Sequence, residues 1–263
     1  MRRCIMGLIV SAAVAAPASA QTLARRIETA PDGWVAFSFA ARPGICGDGE
    51  GFIRDGRHVT TTGWHNRSYS DDGDDRSCPC QPGPVRVGLE VRSHRLVDLE
   101  TTVGGSAAPA GSTDLGSFPV AAAVDYLLGI AKNQADEIGK DAIFATTLAD
   151  SIAVWPQLLA LAKNPSVSHE TRRSAVFWVS QAAGDAATRG LDSLASDERG
   201  DRDIREQAVF ALSQRPQEEG VPALIRIART NKDPEIRRKA LFWLGQSDDP
   251  RALALFEEIL TRR

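Results

Sequence analysis

Four histidines, four cysteines and one acidic run are the residues of this 263-residue chain with obvious chemistry. His58, His65, His94 and His169 are scattered, and only His58 and His65 lie near each other. Together with Cys78, Cys80 and the SDDGDD run at 70–75 they outline a conceivable metal cluster, but the spacing matches no tetrahedral zinc pattern. The acidic run offers oxygen ligands yet lacks the distal glutamate of a calcium-binding hand loop, so it reads as a solvated loop. The chain has no G-x-S-x-G, no H-E-x-x-H, no phosphate-binding glycine loop and no C-x-x-C pair. No catalytic residue, metal or cofactor is predicted.

The pattern that does recur is aromatic. Phe144, Phe177, Phe210 and Phe242 each sit two positions after an alanine, and Trp178 and Trp243 follow two of them directly. They belong to four related strings: EIGKDAIFATTL from Glu137, ETRRSAVFWVSQ over Glu170–Gln181, DIREQAVFALSQ over Asp203–Gln214 and EIRRKALFWLGQ over Glu235–Gln246. Their starts are separated by 33, 33 and 32 residues. Rings do no acid–base work; they offer apolar contact area. On a helical wheel the phenylalanine lies about 120° from the apolar stripe marked by Ile204, Ala208, Ala211 and Leu212. Four rings at that flank form either a packing seam between repeats or an exposed aromatic ridge. The seam is the preferred reading, because stacked repeats must bury the contact between neighbours. The ridge would exceed the apolar patch a monomer usually shows and would mark a partner site. The candidate partner-binding residues are therefore Phe144, Phe177, Trp178, Phe210, Phe242 and Trp243.

Such a period positions the rings on helices. First helices are predicted near 137–150, 170–183, 203–214 and 235–246, and second helices near 154–163, 186–196, 220–230 and 250–261. Residues 119–133 supply the second helix of an incomplete leading repeat, with Pro119 at the helix start. Arg205 and its equivalents are expected to pair with an acidic residue of a neighbouring repeat. The openings Asp203-Ile204-Arg205 and Glu235-Ile236-Arg237, the alanines Ala175, Ala208 and Ala240, and the leucines Leu212 and Leu244 resemble bacterial HEAT repeats of the short kind also found in the phycobilisome-lyase HEAT-like group. The resemblance covers about 119–263, roughly four and a half repeats. It implies a right-handed α-α superhelical solenoid. Two openings depart from it: Ile138-Gly139 in the first repeat and Thr171-Arg172 in the second. It also implies an alternative function, lyase-type activity, although a fold does not carry its function with it.

The preceding third of the chain reads differently. Arg2 and Arg3, the apolar run Cys4–Ala16 and Ala18-Ser19-Ala20 resemble a secretory signal, with the mature chain starting at Gln21. Residues 21–103 are expected to form a short lead-in and a small antiparallel β unit. In it Val35, Phe37 and Phe39 alternate, as do Val85, Val87, Leu89 and Val91, with Val97, Leu99, Thr101 and Val103 after a turn at Ser93-His94. An exported chain permits a disulfide, and Cys46 is expected to bond either Cys78 or Cys80. Residues 104–118, rich in Gly, Ala, Ser and Pro, are read as a linker. A net charge of −3, or −5 without Arg2 and Arg3, argues against general nucleic-acid binding, and no segment after the signal is apolar enough to span a membrane. The chain is predicted to be a periplasmic or secreted, non-enzymatic scaffold that binds a protein or peptide partner. The alternative places a small-ligand or metal-sensing head in the β unit.

Overall fold

The computed structural model describes residues 18–47, 51–54, 57–60, 82–104 and 111–261. The expected n-region and apolar run, His65, Cys78, Cys80 and the acidic run at 70–75 lie outside them.

The lead-in is a helix, α1 (Ala18–Glu28). Leu23, Ile27 and Ala30 recur at i, i+4 and i+7, and this apolar stripe is buried, with α1 packed on α2 (Val120–Asn133). Strands β1 (Gly33–Phe39), β5 (Val85–Arg92), β6 (Arg95–Val103) and β7 (Thr113–Ser117) form one sheet in the order β6-β5-β1-β7. A second sheet, β2 (Cys46–Gly47), β3 (Gly51–Arg54) and β4 (Arg57–Thr60), lies against β6.

Two expectations are corrected here. The larger sheet is mixed, because β7 pairs with β1 in parallel while β5 pairs antiparallel with both β1 and β6. Strand β7 also falls within the stretch read as a linker, so part of that stretch is sheet. The alternation of β1 and β5 buries Val35, Phe37, Phe39, Val85, Val87 and Leu89. Val97 breaks the pattern on β6 and is exposed, because the register shifts between the Glu90–Asp98 and Val91–Leu96 pairs and Val97 is the extra residue. The β5–β6 turn has φ of 50° and 58° at Ser93 and His94, the left-handed pair of a tight hairpin. Asp32 holds this turn by accepting the amide of Ser93 at 2.7 Å.

The helical region follows the predicted spacing. First helices are α3 (Asp136–Thr147), α5 (His169–Ser180), α7 (Arg202–Ser213) and α9 (Pro234–Gly245); second helices are α4 (Trp155–Lys163), α6 (Asp185–Ser196), α8 (Gln217–Thr230) and α10 (Pro250–Thr261). First helices pack on first helices and second on second, giving two layers. The column alanines Ala142, Ala175, Ala208 and Ala240 have no exposed surface, which lets the backbones approach closely. The sheet is joined to this array by shared core. Phe37 meets Tyr126 edge-on at 6.1 Å, Ala41 bridges Ala149, and Arg42 donates its amide to the Leu148 carbonyl at 2.9 Å. Burial beneath the sheet pushes the Tyr126 phenol up to about 12.

Candidate partner-binding surface

The aromatic residues form two clusters, each combining a seam with an exposed ring. Trp178 reaches back to Phe144 of the preceding repeat at 5.4 Å and takes Phe177 edge-on at 5.1 Å. Trp243 repeats this with Phe210 at 4.9 Å and Phe242 at 5.0 Å. These are ordinary stacking and T-shaped separations. The tryptophans, Phe144 and Phe210 are half-buried, whereas Phe177 is 41% and Phe242 55% exposed. The reason lies one residue along. Ala145 and Ala211 stand where the other two repeats have tryptophan, and both are buried. An indole at alternate repeats covers the ring behind it and props up the ring beside it.

What holds the repeats in register is a set of buried arginines. Arg172 donates from Nε to the Ala162 carbonyl at 3.0 Å and from Nη1 to Asp201 of the next repeat at 3.3 Å. Arg205 repeats the arrangement with the Ala195 carbonyl at 3.2 Å and Asp233 at 3.1 Å, and adds Asn231 at 3.2 Å. Asp201 and Asp233 are the N-caps of α7 and α9, accepting the amides of Asp203 and Glu235 at 3.0 Å each. Each capping carboxylate thus closes one helix and ties it to the repeat before. Burial acts to raise both acids, but backbone amides and the facing arginines outweigh it and hold them below the usual carboxylate range.

Arg172 and Arg205 therefore pair with an acidic residue of the neighbouring repeat, its capping aspartate, while the more exposed Arg173 reaches Asp203, the acid that opens the third string, at 2.8 Å. In the last repeat Glu235 pairs with Arg238, and Arg237 donates to the Asn231 carbonyl at 2.7 Å.

The two departures from the repeat opening are one packing event. Gly139 is buried under Thr171, and a Cβ there would come within 2.5 Å of the Thr171 hydroxyl and 2.9 Å of the Gln134 carbonyl. Threonine in place of isoleucine at 171 and glycine in place of arginine at 139 fit each other.

Beside the rings runs a column that the aromatic reading overlooked. Gln181, Gln214 and Gln246 follow the first helices at the repeat spacing and are exposed. Gln214 and Gln246 line a cleft of about 230 Å3 together with Trp243, Ser213 and Asp248. The signal was present, since three of the four strings end in glutamine. Primary amides carry both donors and acceptors, the complement of a peptide backbone. Cys46 lies on β2, and the two candidate cysteine partners lie outside the described residues.

Residues 191–263 match the family model of HEAT repeats. The HEAT-repeat match takes in the second half of α6 and all of α7–α10, and upstream of it the buried alanine column continues to Ala142 and the arginine–cap pairing to Arg172. It supports a HEAT-repeat protein, and HEAT repeats generally serve as protein-interaction scaffolds. No curated protein matches the chain. Among the described residues no helix is long and apolar enough to cross a membrane.

Proposed function

We propose that this chain is an exported, non-enzymatic scaffold whose first-helix face binds an extended peptide segment of a protein partner. The observation that carries the reading is the exposure of Phe177 and Phe242, each backed by a tryptophan fixed to the preceding repeat. A rigid, pre-positioned ring loses little entropy on binding, which is what a contact anchor requires. The two clusters stand two repeats apart, about 20 Å at the usual interhelical spacing. An extended chain covers that span in about six residues. The partner thus presents two apolar side chains some six residues apart, with its backbone along Gln181, Gln214 and Gln246.

Layering of like helices on like supports a right-handed α-α superhelix over the helical region. Export rests on the basic and apolar start of the chain; cleavage after Ala20 would leave the core contacts of α1, Leu23 and Ile27, in place. In that setting Cys46 pairs with Cys78 or Cys80, which non-reducing peptide mapping resolves. Neither nucleic acid nor a membrane span belongs to this reading.

Selection from a random peptide library on the purified full chain tests it. Enriched peptides should carry paired apolar residues at that spacing. Phe177→Ser and Phe242→Ser should each weaken their binding about tenfold, in the range of an interface anchor. Equal binding by the double variant would overturn the proposal, as would loss of its cooperative unfolding, which would make the rings structural.

A further inference from the structure

The layer of second helices carries a feature that the aromatic face does not explain. Between α8 and α10 lies a groove with a cavity volume of about 640 Å3. Pro222, Ile225, Ala254 and Leu255 supply its apolar lining, and Arg226, Arg229, Arg251 and Glu258 its charged lining.

The arginines are not part of the repeat. At the 33-residue spacing that aligns the buried leucines Leu158, Leu191 and Leu224, Arg226 corresponds to Ser193 and Ala160, and Arg229 to Ser196 and Lys163. Guanidiniums have replaced small or flexible residues at this one place in the array. Arg251 is already spent: it grips Asp249 with Nε at 2.9 Å and Nη2 at 2.6 Å, and reaches Glu218 and the Gln217 carbonyl at 3.1 Å each. Arg226 and Arg229 are not. Arg226 gives one terminal nitrogen to Asp192 and Arg229 one to Glu258, and their side chains are 53% and 51% exposed. Among the described residues, their remaining N–H groups meet no protein acceptor. Three residues apart on α8, the two project from one helix face.

An apolar lining beside open guanidinium donors selects an acidic ligand with apolar side chains. We propose that the α8–α10 groove is a second docking site, which receives an acidic peptide segment of a partner protein. Its carboxylates take the open donors of Arg226 and Arg229 while a neighbouring apolar side chain covers Ile225 and Ala254. Charge complementarity favours this occupant over a neutral helix, because planar guanidiniums pair bidentately with carboxylates. With a net charge of −3 and two open arginines, the chain offers too little phosphate neutralisation for nucleic acid.

Fluorescence anisotropy on the full chain tests this, with a labelled peptide of one leucine flanked by glutamates, which lacks the paired apolar residues the aromatic face reads, against its leucine–glutamine counterpart. The acidic peptide should bind, and more weakly as salt rises. The glutamine peptide and the R226Q/R229Q variant should each lose about tenfold or more, as expected for charged hydrogen bonds. Ala254→Glu, at an exposed position, should also weaken binding by placing a carboxylate in the groove. The F177S/F242S variant should bind the acidic peptide unchanged, so that this site and the aromatic face fail independently. Equal affinity for both peptides, or full binding by R226Q/R229Q, would overturn the proposal. So would arginine-dependent binding of anionic phosphatidylglycerol vesicles or of a single-stranded oligonucleotide in place of the peptide.

Discussion

Between successive repeats the guanidiniums of Arg172, Arg205 and Arg215 are enclosed, whereas along the α8–α10 groove those of Arg226 and Arg229 stand half in water with donors to spare. Arg215 shows how complete the first condition is. Its Nε donates to Thr188 at 2.8 Å, and its terminal nitrogens reach the Ser180 and Gly184 carbonyls at 2.9 Å each and Glu219 at 2.8 Å. A buried arginine survives only with its donors met, so it becomes a fastener between repeats. Arg226 and Arg229 also reach a neighbouring second helix, but each through one half-exposed ion pair of small worth, and their remaining donors are available to a ligand. Where a side chain stands relative to water thus separates scaffold from site in an array whose helices otherwise look alike.

The largest expected effect breaks a fastener. Arg205→Ala removes the buried guanidinium bonds to the Ala195 carbonyl, Asn231 and Asp233, and should lower the thermal midpoint by at least about 5 °C. Arg226→Ala should move it by no more than about 2 °C, the usual size of a surface change. Calorimetry giving equal losses for the two would erase the distinction.

A glycine pair sharpens the same contrast without any charge. Gly139→Ala drives a methyl into Thr171 and the Gln134 carbonyl and should destabilise by about 1–3 kcal/mol, typical of overpacking. On α2, Gly129 has nothing within 4 Å of the corresponding position. Gly129→Ala should therefore stabilise by about 0.5–1 kcal/mol through helix propensity alone. Urea unfolding of both variants reads the opposite signs directly.

The same distinction explains what could be read in one dimension. The helices were legible because a buried alanine column and a fixed period agree at every repeat. Strand β7 was not, because TDLGS has no alternation and owes its place to pairing with the already formed β1. Helix α1 was hidden by its position beside a signal-like segment, although Leu23, Ile27 and Ala30 carry the stripe. All four phenylalanines share one wheel angle, so the wheel could not say which are exposed. The alternation of Ala145, Trp178, Ala211 and Trp243 decides that, and its effect is between repeats rather than within one helix. Gly139 and Thr171 looked like two defects because their contact joins residues 32 apart. The groove gave no periodic signal, since its arginines are departures from the period.

The smallest effect is the one that couples fastener to groove. Asp249 is held at about 2, against an ordinary 3.8, chiefly by the Arg251 guanidinium, with burial opposing and the Arg251 amide assisting. A carboxylate whose folded pKa is depressed contributes stability above its unfolded value and loses it as pH falls through the folded one. The contribution is thus complete above about pH 4 and lost between there and pH 2. Asn at this position keeps a side-chain acceptor for the Arg251 amide and removes the charge. Urea midpoints of wild type and Asp249→Asn should therefore differ at pH 5 and converge towards pH 2.5; parallel profiles would assign the acid dependence elsewhere. At neutral pH the same substitution releases Arg251 into the groove lining. If open guanidinium donors are what the acidic peptide reads, Asp249→Asn should bind it about twofold to fivefold more tightly, a fraction of one charged hydrogen bond. An unchanged affinity would restrict the docking role to Arg226 and Arg229.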